Sequence, residues 1–149
     1  MDLSKNEEDY LKALFYLLEK NEGDKIGNNQ LAAYLNVSPA SANNMLKKLK
    51  LKNLVQYEKY GKIEVTALGL RKAVFLVRKH RLWETFLHLT LNFNDEEVHE
   101  VAEQLEHIKS EKLIIELEKF LKFPSKDPHG ETIPDISGKY LFSKQQFKK

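Results

Sequence analysis

Between Glu7 and Leu18 the apolar residues Tyr10, Leu11, Leu14, Phe15 and Leu18 recur at three- and four-residue steps. That is the period of one helix face, and the glycine-containing stretch from Asn21 to Asp24 stops it. A shorter helix is predicted over about 28–35, with Leu31, Ala32 and Leu35 inward. Asn36-Val37 leaves room only for a turn. Ser38 then supplies an N-cap, and Pro39 takes the first helical position, where its missing N–H costs nothing. The helix that follows buries Ala42, Met45, Leu46 and Leu49 and turns Ala40, Asn43, Asn44, Lys47 and Lys48 outward. The period next changes to two: Val55, Tyr57, Ile63 and Val65 alternate on either side of Lys59-Tyr60-Gly61-Lys62, which predicts a β-hairpin. A long helix is predicted from Thr66 to about Leu91. Asn94 with Glu97 forms a capping-box variant opening another helix that ends near Ile108. Ser110 caps a third, carrying Leu113, Ile114, Leu117, Phe120 and Leu121 and closing at Phe123-Pro124.

These elements give a fold class that is mostly α with a small β-hairpin. Two helices across a tight turn, the second capped by Ser-Pro and followed by a hairpin, make an N-terminal winged helix-turn-helix. The remaining helices make an α-helical second domain. Trp83, Phe86 and Leu87 give it more apolar surface than it can bury alone, so a homodimer is expected.

A chain of 149 residues suits one compact unit or two small lobes. It has no cysteine, which excludes a disulfide scaffold, thiolate zinc, iron–sulfur clusters and thiol catalysis. The acidic start lacks a signal-peptide layout, and no apolar run approaches the ~20 residues of a membrane helix, so a soluble, cytoplasmic protein with no membrane partner is expected. Net charge is +2, unevenly spread: −4 over residues 1–24, +7 over 25–72 and −1 over 73–149. The basic excess on the winged helix is a footprint for a polyanion, here double-stranded DNA; a solvated basic face used only for packing is the competing reading. Ser38, Pro39, Ala40 and Ser41 keep the helix start slim enough to approach base edges. Asn43 and Asn44 suit base pairing, Lys47 and Lys48 suit the phosphate backbone, and Lys59, Tyr60 and Lys62 tip the wing.

In the second domain His99, Glu103, Glu106 and His107 stand at i, i+4, i+7 and i+8, one wedge of ~100° beside Val98, Ala102 and Leu105. His80 and Glu84 form a further i, i+4 pair on the preceding helix. Imidazole with carboxylate and no sulfur suits Mn²⁺, Fe²⁺ or Zn²⁺; solvated helix faces are the plainer alternative. His88 extends the His80/Glu84 row but reads as structural. A carboxylate-bridged metal oxidase would need matched Glu/His motifs on four facing helices, and only two usable helices carry them. No Gly-rich phosphate loop, HExxH or nucleophile motif is present, so neither an enzyme nor a small organic substrate is expected.

The stretches EDYLKALFYL (8–17), LAAYLNVSPASANNMLKKL (31–49), LVQYEKYGKIEVTALG (54–69), RKHRLWETFL (78–87), VHEVAEQLEHIKS (98–110) and DPHGETIP (127–134) together resemble the diphtheria toxin repressor family of metal-dependent transcriptional regulators, especially its manganese-responsive branch. The resemblance implies a primary metal site at Asp9, Glu103, Glu106 and His107, joining the first helix to the metal domain, and a second at His80, Glu84 and His99. Iron-type members have a sulfur residue at the positions of Asp9 and Glu103. Their oxygens here imply Mn²⁺, with Fe²⁺ sensing as the alternative and Zn²⁺ or Co²⁺ as substitutes in vitro. Manganese-type members often carry a second carboxylate where this chain has Lys12, which speaks against a paired-metal arrangement.

The resemblance further implies a repressor of metal-uptake genes that binds a palindromic operator as a homodimer, the metal fixing the dimer geometry. A winged-helix regulator without metal dependence is the other reading. The domains are expected at 1–72 (winged helix-turn-helix), 73–136 (metal binding and dimerisation) and 137–149, a short basic tail. Many relatives continue into an SH3-like third domain, for which the residues after Pro134 are too few.

Overall fold

The first helix, α1 (Lys5–Lys20), begins two residues before its apolar period because Ser4 and Glu7 close a capping box. Ser4 Oγ accepts from Glu7 N at 3.1 Å, and Glu7 Oε1 accepts from Ser4 N at 2.9 Å. The computed structural model describes residues 2–135; the basic tail expected over 137–149 lies outside the described residues. Next come β1 (Ile26–Gly27), α2 (Asn28–Leu35), α3 (Pro39–Leu51), β2 (Val55–Tyr57) and β3 (Lys62–Val65). Then follow α4 (Ala67–Leu89), α5 (Asp95–Leu105) and α6 (Glu111–Phe120). Asn36 turns left-handed (φ 56°) to end α2, and Ser38 Oγ accepts from Ser41 N at 3.0 Å to start α3, so the tight turn between them forms as its residues dictate.

The hairpin is not alone. β1 adds to β3 antiparallel, with Ile26 opposite Ile63, giving a three-stranded sheet of order β1-β3-β2. Val55 pairs with Val65 and Tyr57 with Ile63, so the alternating apolar residues face one side together. A Cβ on Gly69 would stand 2.1 Å from the Leu54 carbonyl oxygen, so only glycine lets α4 start against the turn between α3 and β2. Thr66 anchors that start, accepting from Gly69 N at 3.0 Å and donating to Asn53 O at 2.7 Å.

The described residues divide into two compact units, 2–74 and 75–135, and the division falls inside α4. The core of the first is built on Leu11, Leu14, Phe15, Ile26, Leu31, Leu46, Leu49 and Ile63. The second packs Leu82, Trp83, Leu87, Val98, Ala102, Ile114, Leu117 and Ile133. Trp83 and Leu87 are thus buried within their own unit, contrary to the expectation that they supply free surface; α6 closes over them. The exposed apolar residues of this unit include Phe120 and Leu113, which with Trp83 and Phe86 line an open hollow of about 600 Å³. No helix among the described residues is long and apolar enough to cross a membrane.

Candidate metal centre and nucleic-acid face

On the first unit, Ser38, Pro39, Ala40, Ser41, Asn44, Lys47 and Lys48 are exposed at the start and along one side of α3, as are Lys59, Tyr60 and Lys62 at the wing. Lys59 Nζ lies 5.4 Å from the Tyr60 ring centroid, within cation–π range. Asn43 is a correction. It is 3% exposed, and its Oδ1 accepts from the Tyr57 hydroxyl at 2.6 Å, so it is turned into the unit instead of outward. On a helical wheel Asn43 borders the apolar stripe, and Tyr57 on β2 draws it across that border. It therefore cannot read a base in this conformation.

On the second unit α5 ends at Leu105, with Glu106 as its C-cap, so the four-residue wedge expected on one continuous helix is split. His99 and Glu103 stay on the half-exposed helix surface, with His99 Nε2 and Glu103 Oε1 2.9 Å apart. Glu106 turns wholly inward, where its Oε1 lies 2.6 Å from His80 Nδ1. The other ring nitrogen, His80 Nε2, faces Glu84 Oε2 at 3.3 Å, and His99 Nδ1 approaches the same oxygen at 3.5 Å. His80, Glu84 and His99 thus present three ligand atoms within 4.8 Å of one another. His107 Nε2 lies 3.9 Å from Glu106 Oε2. Asp9 stands on α1 of the first unit, its Oδ2 3.3 Å from Lys5 Nζ. His88 is structural as read, its Nδ1 3.2 Å from the Phe93 carbonyl.

The structure adds two residues that the spacing did not single out. Asp127 and His129, from the segment after α6, join Glu84 in a further set whose ligand atoms lie within 4.8 Å. Asp127 Oδ1 accepts from His129 N and Glu131 N, both at 2.9 Å, a local turn completed by Gly130 at φ 82°. Its Oδ2 is buried with no hydrogen-bond partner among the described residues. Buried arginines of α4 hold this segment in place. Arg81 donates to Thr132 O at 2.6 Å and pairs with Glu131; Arg78 donates to Pro134 O at 3.2 Å and forks onto Glu118 at 2.8 and 3.0 Å. The Asp-Pro-His-Gly turn was the available signal, but its distance along the chain from Glu84 hid the grouping.

Electrostatics fits a cation at this cluster. Burial alone would raise the Glu84 carboxyl, yet His80, then Asp127 and His129, outweigh it and hold the group down to about 2. Asp127 moves the other way, pushed up by burial and by the adjacent Glu84 carboxylate against the two backbone N–H groups it accepts from. Two crowded buried carboxylates among imidazoles form a hard, sulfur-free donor set for a divalent ion.

Residues 2–63 match the family described as iron dependent repressor, N-terminal DNA binding domain, and residues 66–135 match iron dependent repressor, metal binding and dimerisation domain. A probable metal transport system membrane protein of Chlamydia trachomatis is 35% identical over an alignment of 138 residues that covers 88% of this chain but 30% of that protein. The HTH-type transcriptional regulator MntR of Geobacillus thermodenitrificans is 32% identical over 100 residues, 67% of this chain and 69% of the regulator. Among solved structures, the manganese regulator SloR superposes with a TM-score of 0.77 at 42% identity, covering 93% of this chain and 63% of SloR. This chain therefore spans under a third of the chlamydial protein and about three fifths of the solved regulator.

Proposed function

The chain belongs to the diphtheria toxin repressor family of metal-dependent transcriptional regulators, and on that premise we propose that it is a Mn²⁺-responsive DNA-binding repressor of metal-ion uptake and homeostasis genes. In this reading it works in the cytoplasm as a homodimer on a palindromic operator and is a regulator, not an enzyme. The observation that carries the reading is the buried Glu84, met by His80 at 3.3 Å, His99 at 3.5 Å and His129 at 3.9 Å, in the same chain as a basic winged helix. The similarity to SloR, a manganese regulator, supports the choice of ion.

His80, Glu84 and His99 would hold one ion, with Asp127 and His129 adjoining. Asp9, Glu103, Glu106 and His107 are the second proposed ligand set, by resemblance to the family. When bound, the ion supplies fixed positive charge that neutralises clustered carboxylates. The rest is the protein's work. Glu106 holds the His80 ring through Nδ1, leaving Nε2 on the Glu84 side for the ion, Arg81 fixes the segment bearing Asp127 and His129, and Asp127 is aimed by backbone N–H groups. On DNA, Ser38 to Ser41 and Asn44 would approach base edges while Lys47, Lys48, Lys59 and Lys62 contact phosphates. A dimer must set two such faces ~34 Å apart, so fixing its geometry changes affinity without touching a base. By linkage, DNA must tighten metal binding by the factor with which metal tightens DNA binding.

The test is selection of bound genomic fragments by the purified protein in Mn²⁺, anaerobic Fe²⁺ and EDTA. Palindromic sites enriched in Mn²⁺ alone are the expected result. Enrichment only in Fe²⁺ would reassign the ion, and equal enrichment in EDTA would remove metal from the account.

A further inference from the structure

Tyr57 is the last residue of β2 and is 5% exposed, while the next residues, 58–60, are exposed. Its hydroxyl has one proton and two lone pairs, and the proton and one lone pair are engaged. It donates to Asn43 Oδ1 of α3 at 2.6 Å, lies 3.2 Å from Asn28 Oδ1 of α2, and accepts from the backbone N–H of Tyr60 at 2.8 Å. Asn28 and Asn43 are each 3% exposed, so the node is closed to water on the helix side and open only at the wing tip. The Tyr57 carbonyl in turn accepts from Lys50 Nζ at 2.9 Å, tying the far end of α3 to the same residue.

Tyr60 itself is left-handed, at φ 55°, a conformation that a bulky side chain adopts only when something holds it. Two hydrogen bonds do so: Tyr60 N–H to the Tyr57 hydroxyl, and Gly61 N–H to Glu58 O at 2.8 Å. β2 pairs with β3 over only three residues, which leaves the tip with little other restraint. A buried polar node is a costly way to fill space, because each member must stay partnered, and its usual return is a unique arrangement of the elements it joins. Here those elements are α2, α3 and the wing.

Resting on the reading of this unit as a DNA-binding face, we propose that the Tyr57 hydroxyl is a positioning group that sets the wing tip against α3, so that Lys59 and Lys62 meet the same duplex as Lys47 and Lys48. Asn43 then serves recognition by holding Tyr57 and not by reading a base.

The experiment compares wild type, Tyr57→Phe, Asn43→Ala and the double variant. It uses the selected duplex in Mn²⁺ across a salt series, with amide hydrogen exchange of the free protein as a second readout. Phenylalanine keeps the ring packing and removes only the hydroxyl. For Tyr57→Phe the Tyr60 amide exchanges at least about tenfold faster while α2 and α3 amides keep their protection, and duplex affinity falls roughly tenfold. The slope of log affinity against log salt becomes shallower by ~0.9 for each phosphate that the wing no longer neutralises. Asn43→Ala gives the same slope change with unaltered sequence preference, and the double variant loses no more than either single one. Wild-type affinity and slope in Tyr57→Phe, unchanged Tyr60 exchange, or faster exchange throughout α2 and α3 would each overturn the proposal. So would a changed sequence preference in Asn43→Ala. A wild-type protein with no duplex affinity in any metal would overturn the DNA-binding reading itself, which its own arm of the experiment makes visible.

Discussion

His80 Nδ1 lies 2.6 Å from Glu106 Oε1, with both side chains almost fully buried, while His80 Nε2 faces Glu84. One imidazole therefore touches a member of each ligand set that the family resemblance implies. Removing the Glu106 charge should loosen the His80 ring as well as delete a ligand. Glu106→Gln is expected to weaken metal binding by ~10–100-fold for the His80/Glu84/His99 set in addition to its own. Titration with Mn²⁺, following free ion by electron paramagnetic resonance, would check this. Loss of one class of site with the other untouched would show that His80 does not link them.

The segment carrying Asp127 and His129 depends on the arginines beneath it. Arg78 is 2% exposed and forks onto Glu118. Deleting that carboxylate leaves a buried guanidinium that still donates to the Pro134 carbonyl but has no counter-charge from Glu118. Glu118→Ala should cost ~3–5 kcal/mol of stability in a denaturant titration. A loss under ~1 kcal/mol would mean the pair is as weak as an ordinary surface ion pair.

Phe120 is 61% exposed, its ring 5.8 Å from Phe86 beside the hollow on α4 and α6. In the proposed dimer, a face of this kind on the domain matched as metal-binding and dimerisation would seat self-association. Phe120→Asp should shift the protein toward monomer in sedimentation equilibrium without lowering its helix content. An unchanged dimer would place the contact elsewhere.

Lys47 is exposed on α3, and in the proposed reading it contacts a phosphate. Lys47→Ala should weaken binding to every duplex alike and reduce the salt slope by ~0.9 per subunit. A change confined to one sequence would make Lys47 a base reader instead.

Local patterning carried most of the helices. Ser38-Pro39, the Asn94/Glu97 box and Ser110 each act within a few residues, so their caps form where the letters stand. β1 was invisible because two residues cannot display a period; it exists only because Ile63 is there to pair with Ile26. Asn43 was misplaced for a related reason, since its direction is decided by Tyr57, fourteen residues away. The proposed ligands on α4 and α5 stand at i, i+4 spacing that the sequence displays. Their partition was not legible there, because the end of α5 at Leu105 sends Glu106 inward and leaves Glu103 with His99. Asp127 and His129 meet Glu84 only through the tertiary fold held by Arg78 and Arg81.

The most direct measurement is the affinity of the protein for its selected palindromic duplex, by fluorescence anisotropy, in Mn²⁺ and in EDTA, for wild type and Glu84→Gln. Mn²⁺ is expected to tighten wild-type binding by ~5–150-fold, the usual range of coupling between two sites. Glu84→Gln should bind in both conditions as wild type does in EDTA. Equal wild-type affinity with and without Mn²⁺ would contradict metal-dependent DNA binding.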